Sequence, residues 1–197
     1  MLYNVVSFLA RLFLNGRVEI IGKENIPADG SAILICNHRC ANDPIALATA
    51  TRRTIHYLAK KELFNKKFFA WFLGKFHAIP IDRDGSDRAA LRRCITVLKD
   101  GGILGVFPEG TRSKTGELLP FKSGTSFIAA QTGASFIPAA IEGSQRIFNP
   151  FAPKARLVIG FPIPYLPLEG EKKRETMDRM TEVQQEAVRN LLQQINE

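Results

Sequence analysis

Residues 32–44 read Ala-Ile-Leu-Ile-Cys-Asn-His-Arg-Cys-Ala-Asn-Asp-Pro. The first five are short, apolar and closed by turn residues, which predicts a strand. The last two open a helix, since Asp43 is a good N-cap and Pro44 suits the first helical turn. His38 therefore sits in a loop that leaves a strand and enters a helix.

The same alternation runs along the chain. Apolar runs bounded by turn residues predict strands at 17–21, 32–36, 55–58, 78–81, 103–107, 136–140 and 156–159. Helical spacing marks 44–51, 87–99 and 123–132, with Ser123 as a cap and with Gly101 and Gly133 where helix ends fall. Residues 172–195 place Met177, Met180, Val183, Ala187, Leu191 and Ile195 near one face, as in a packed amphipathic helix. These elements predict an α/β fold, a single domain whose central mixed sheet of about seven strands is flanked by helices. The proline-rich run 161–167 reads as a surface connection.

The chain has 197 residues, 45% hydrophobic and 23% charged, enough for one domain with a real core and unlike disordered or fibrous sequences. Lys and Arg number 27 against 19 Asp and Glu, a net charge of +8, so part of the surface attracts phosphate headgroups, nucleotides or nucleic acid. Charge alone does not choose among them. Three cysteines without a CxxC pair indicate neither a disulfide framework nor a thiolate zinc site, and a reducing compartment fits.

Residues 1–14, MLYNVVSFLARLFL, carry Arg11 as their only charge. About 14 helical residues reach only ~21 Å against a hydrocarbon core of ~30 Å, too short to span a bilayer. The segment also lacks the basic start and cleavage site of a secretory signal. It is either a terminal helix docked on the core or an amphipathic helix in the membrane interface, with Phe8, Leu9, Leu12 and Phe13 in the acyl region. A second cluster favours membrane contact. Residues 60–76, KKELFNKKFFAWFLGKF, mix Phe68, Phe69, Trp71 and Phe72 with Lys60, Lys61, Lys66, Lys67 and Lys75. Lysine stems can lie along apolar surface while their charges stay wet, and Trp suits the headgroup region. The expected organisation is an interfacial helix at 1–15 followed by one domain at 16–197.

His38 and Asp43 are five residues apart, which on a continuous helix would turn their side chains about 140° from each other. They can meet only if a turn folds the chain back. If so, the carboxylate holds one imidazole nitrogen protonated and leaves the other to accept a proton from a substrate hydroxyl. Otherwise the pair is a helix cap beside an unrelated histidine. A second loop, Phe107-Pro108-Glu109-Gly110-Thr111-Arg112-Ser113, follows another apolar strand. Gly110 allows close backbone approach and Arg112 offers a planar fork of donors for phosphate. Arg83 adds a guanidinium beyond a different strand, and ligands of such sheets favour strand carboxyl ends.

Together the His38-x4-Asp43, 79–83 and 107–113 blocks and the later stretch Ile137-Pro138-Ala139-Ala140-Ile141 resemble, in order and spacing, the four motifs of glycerolipid acyltransferases. The similarity covers roughly 17 to 160, and the short size with a minimal N-terminal segment looks like the bacterial 1-acylglycerol-3-phosphate acyltransferases. The family's fourth block more often carries valine where this chain has Ala139 or Ala140, a change for packing or acyl fit. The resemblance implies that His38 deprotonates a glycerol hydroxyl, that Asp43 orients His38, and that the hydroxyl attacks the thioester of acyl-CoA or an acyl carrier protein. Arg83, Glu109, Gly110, Thr111 and Arg112 would line the glycerol phosphate site, with Lys60 or Lys61 adding positive charge. The resemblance implies 1-acylglycerol 3-phosphate (lysophosphatidate) as the acceptor, with glycerol 3-phosphate or another lysophospholipid as alternatives. The expected partners are this lipid, the acyl donor and a phospholipid surface, with no tightly bound cofactor, no metal and no nucleic acid. The expected location is the cytoplasmic membrane face, where the acyl donors are.

Competing motifs are weaker. Cys36, His38 and Cys40 lack a fourth zinc ligand. Gly101-Gly102-x-x-Gly105 precedes a strand, whereas a dinucleotide loop follows one, so it reads as a turn. Ser123-Gly124-Thr125 lacks the flanking glycines of a nucleophile elbow. A non-catalytic binder of anionic lipid remains an alternative, for which His38 would be dispensable. A nucleic-acid binder rests on net charge alone.

Overall fold

The computed structural model describes residues 12–14, 16–82 and 87–197. Its centre is β2 (Ala32–Cys36), every residue of which is buried. Ala32, Leu34 and Cys36 enter one core while Ile33 and Ile35 enter the other, on opposite faces of the sheet. A strand covered on both faces has no polar side, which is why this run is continuously apolar.

Around β2 lie β1 (Val18–Ile21), β3 (Ile55–Lys60), β4 (Ile79–Ile81), β5 (Ile103–Val106), β6 (Ser135–Glu142) and β7 (Ala155–Ile159), in the order β1-β7-β6-β2-β5-β3-β4. All neighbours pair parallel except β6 and β7, so the sheet is mixed. The helices are α1 (Asp43–Thr49), α2 (Lys67–Lys75), α3 (Arg88–Lys99), α4 (Gly124–Thr132) and α5 (Lys173–Asn196). Asp87 caps α3, accepting from the Ala89 and Ala90 N–H groups at 3.1 and 2.9 Å. Gly133 ends α4 at φ 69°, where a side chain would be strained.

Several expectations need correction. Asp43 is not the cap of α1; Asn42 precedes the helix and the Asp43 carboxylate turns elsewhere. Ser123 stands before α4 without a side-chain capping bond. In the Gly101-Gly102-x-x-Gly105 run only the first part turns, with Gly101 at φ 76°, while Gly105 lies inside β5 as the strand at 103–107 implies. A Cβ there would come within 2.6 Å of the Tyr57 ring, so glycine lets Tyr57 lie across β5. The run 161–167 is not wholly superficial, since Ile163 exchanges two backbone hydrogen bonds of 2.8 Å with Phe136.

The buried face of α5 is also shifted from the apolar pattern. Thr176, Met180, Gln184, Val188, Leu191, Leu192 and Ile195 are buried, while Val183 is exposed. Two of these are polar and find partners inside: the Thr176 hydroxyl donates to Glu171 Oε2 at 2.8 Å, and Gln184 meets α4. Gln184 accepts from the Thr125 hydroxyl at 2.7 Å and donates to Ser126 Oγ at 2.8 Å and the Met180 carbonyl at 3.0 Å. Gln184→Leu leaves the Thr125 hydroxyl without its buried acceptor, at a cost of about 1–3 kcal/mol. The midpoint should fall by roughly 3–10 °C in a thermal melt followed by circular dichroism; an unchanged melt contradicts this packing.

Candidate active site

β2, β3, β5 and β6 end at one edge of the sheet, and the loops that leave them build the site. Asn37 continues the β2–β6 ladder with its side chain, accepting from Ile141 N–H at 2.8 Å and donating to the Ile141 carbonyl at 3.0 Å. This fixes where the chain leaves the sheet, one residue before His38.

From there the chain folds back. The backbone N–H groups of Arg39 and Cys40 donate to Asp43 Oδ2 at 2.7 and 2.9 Å, and the same oxygen lies 2.7 Å from His38 Nδ1. On the other carboxylate oxygen, Oδ1, Asp43 accepts from the Ser144 hydroxyl. The Asp43 side chain has no exposed surface. Burial by itself raises its pKa, but the hydrogen bonds from His38, Ser144, Cys40 and Arg39 outweigh that and hold it below the ordinary 3.8. An ionised carboxylate only accepts, so Nδ1 of His38 must carry the proton and Nε2 the lone pair. The ring stacks on Phe107, centroids 4.1 Å apart and planes 20° apart. Tyr57 lies parallel to Phe107 at 6.3 Å, and its hydroxyl donates to the Pro44 carbonyl at 3.0 Å. His38 Nε2 has no hydrogen-bond partner among the described residues, and 14% of the side chain is exposed. The geometry suits a general base.

The loop after β5 braces this arrangement. Glu109 is buried, and both its oxygens take backbone N–H groups: His38 at 2.6 Å and Leu119 at 2.9 Å. Burial raises its pKa, and these bonds offset only part of the shift. Within the chain its partners are these two backbone groups, beside the substrate contact expected for it. Ser113 N–H donates to the His38 carbonyl at 2.9 Å, closing the two loops on each other. Gly110 turns the loop at φ 71°, and a Cβ there would press on the Lys122 side chain at 3.0 Å. Thr111 and Arg112 are exposed on the rim, beside Ser113.

Lys60 ends β3, two strands from β2 and so about 10 Å across the sheet. It is exposed and pairs with Glu62 at 3.4 Å. Lys61 follows it, also exposed, and its charge helps to lower the pKa of Asp87 at the start of α3. Arg83 lies outside the described residues, as do Phe8 and Leu9. Leu12 and Phe13 are exposed, and so are Phe68, Phe69, Trp71 and Phe72 on α2, where Phe68 and Phe72 stack at 6.3 Å.

Sequence reasoning missed Asn37, Ser144 and Arg39, whose guanidinium pairs with Glu142 at 2.8 Å. Ser144 and Ile141 reach the dyad loop from about a hundred residues away, through the β2–β6 pairing. A usable signal was the Gly143-Ser144 pair just beyond a strand, once that strand is placed beside β2.

The profile of the acyltransferase family matches residues 17–142, from β1 to the end of β6. The chain is 37% identical over 182 residues to the 1-acyl-sn-glycerol-3-phosphate acyltransferase of Bacillus subtilis, covering 91% of this chain and 90% of that protein. A Streptococcus pneumoniae protein of the same name is 32% identical over 150 residues, or 73% of this chain and 55% of that one. The crystal structure of the 1-acyl-sn-glycerophosphate (LPA) acyltransferase PlsC from Thermotoga maritima is similar at a TM-score of 0.72. It has 28% identity, and the match covers 96% of this chain and 80% of that one. The sequence match takes in both loops that meet at His38 and the structural match extends over nearly the whole chain, so this chain belongs to the acyltransferase family.

Proposed function

We propose that this chain transfers a fatty acyl group from acyl-CoA or an acyl carrier protein to the 2-hydroxyl of 1-acylglycerol 3-phosphate, giving phosphatidic acid. The observation that carries the reading is His38 itself, with Nδ1 bound to a buried carboxylate and Nε2 without a hydrogen-bond partner among the described residues, just beyond the end of β2. The names of the relatives support the acceptor.

In this mechanism Nε2 takes the proton of the acceptor hydroxyl as its oxygen attacks the thioester carbonyl carbon. The C–S bond of the tetrahedral intermediate then breaks, and the thiolate leaves with the proton returned from Nε2. Asp43 stays ionised and stabilises the transient imidazolium. No acyl-enzyme is required. Glu109 acts by holding the backbone of His38. Gly110, Thr111 and Arg112, with Arg83 and Lys60 or Lys61, supply positive charge and backbone approach for the acceptor phosphate. Residues 1–15 and α2 would seat the protein on the cytoplasmic membrane face through Phe8, Leu9, Leu12, Phe13, Phe68, Phe69, Trp71 and Phe72. Among the described residues no helix is long and apolar enough to cross a membrane.

The experiment is a panel of acyl-CoA and acyl-carrier donors against glycerol 3-phosphate and lysophospholipid acceptors, read by mass spectrometry. Lysophosphatidate should be the best acceptor; turnover confined to another one contradicts the assignment. In a graded series, His38→Ala and Asp43→Asn should each lower kcat by about 10²–10⁴-fold. Ser144→Ala, losing one bond to a charged group, should lower it by about tenfold. Near-normal turnover in His38→Ala would remove the reading.

The two carboxylates predict opposite pH effects on stability. Asp43 has a lowered folded pKa, so its contribution is present above the ordinary 3.8 and is lost as pH falls through the folded value. Glu109 has a raised one, so stability declines as pH rises from the ordinary 4.5 through the folded value. In urea titrations against pH, Asp43→Asn should flatten the acid slope below about pH 4. Glu109→Gln should remove the decline above 4.5. Parallel profiles for wild type and both variants contradict these environments.

A further inference from the structure

The connection from β6 to β7 emerges at the edge that carries His38, because β6 runs parallel to β2 and β7 returns antiparallel. It begins with Ser144, bound to Asp43, and four residues later presents Phe148, 64% exposed, then Phe151, 96% exposed. The loop between them is pinned. Ile147 is buried, and the Arg17 guanidinium donates to the carbonyls of Asn149, Pro150 and Ala152. Phe151 N–H donates to Asn149 Oδ1 at 3.0 Å. So held, the two rings stand in water instead of folding onto the core.

Charge narrows what they fit. From 143 to 156 the chain carries Arg146, Lys154 and Arg156 and no Asp or Glu. Arg156 turns to Glu19 at 3.7 Å, while Arg146 and Lys154 are exposed in the same connection as the phenylalanines. Aromatic rings among cations suit an anionic lipid surface, rings at the acyl boundary and charges at the phosphates. An acidic protein partner would match the charges, but it has no reason to lie at the edge where a lipid acceptor must reach Nε2.

We propose that residues 143–154 form a membrane-seating loop that places Phe148 and Phe151 in an anionic bilayer beside the dyad. The orientation rests on the acyl-transfer reading above. The loop adds a contact on the β6–β7 side of the site, opposite α2, which follows β3 on the other side. A bilayer held from both sides would present the glycerol hydroxyl to Nε2 without full extraction of the lipid.

The test uses the full chain with vesicles of phosphatidylcholine and phosphatidylglycerol. In sedimentation, Phe148→Ser/Phe151→Ser should partition roughly tenfold more weakly than wild type. In a Phe151→Trp variant, the emission added to that of Trp71 should shift to the blue and be quenched by brominated acyl chains. Unchanged partition, or added emission that ignores the vesicles, overturns the proposal. Acyl transfer is followed in the same samples with vesicle-borne lysophosphatidate and with a short-chain monomeric acceptor. The double variant should lose turnover on vesicles only; equal loss on both overturns the proposal. Wild type inactive on both acceptors contradicts the acyl-transfer reading, while partition and emission still judge the loop.

Discussion

One buried carboxylate organises this molecule's chemical edge. Asp43 collects hydrogen bonds from the His38 ring, the backbone of Arg39 and Cys40 and the hydroxyl of Ser144. Removing a charge from water is costly unless donors replace the lost solvent, and here they do so well enough to lower its pKa despite full burial. The same bonds close the turn from 38 to 43, so folding the loop and orienting the imidazole are one event. A carboxylate left without them would gain a proton, and a neutral acid would no longer fix the imidazole tautomer.

The sheet makes that arrangement possible by bringing β2, β5 and β6 together as parallel neighbours. Asn37 ties the exit of β2 to β6, and Glu109 ties the backbone of His38 to the loop after β5. Gly105 leaves room for Tyr57, which braces Pro44 at the start of α1 from across the sheet. Each of these residues acts on the 38–44 segment through backbone groups or their spacing, so each helps to set where the His38 ring stands.

The readable parts were those whose signal is local. β2 is apolar throughout because both its faces are covered, and the alternation of strands and helices followed from such runs. Asp43 was visible as a helix-start residue, but a cap and a buried hydrogen-bond hub use the same side chain at the same place. The turn that decides between them is made by backbone N–H groups, which a sequence does not display. The apolar pattern misses the true face of α5, because Thr176 and Gln184 are buried on it. Ser144 and Asn37 gain their roles only through the β2–β6 pairing, which no local pattern displays. Phe148 and Phe151 gain meaning only once their edge of the sheet is known.

The central claim is that Asp43 keeps the proton of His38 on Nδ1 and leaves Nε2 as the base. Nitrogen-15 NMR of the imidazoles reads this directly, with the His38 signal among the three histidines assigned by its loss in His38→Gln. At a pH where the ring is neutral, the account predicts a protonated Nδ1 whose proton resonates far downfield and an unprotonated Nε2. A ring protonated at Nε2, or one averaging rapidly between tautomers, would contradict it.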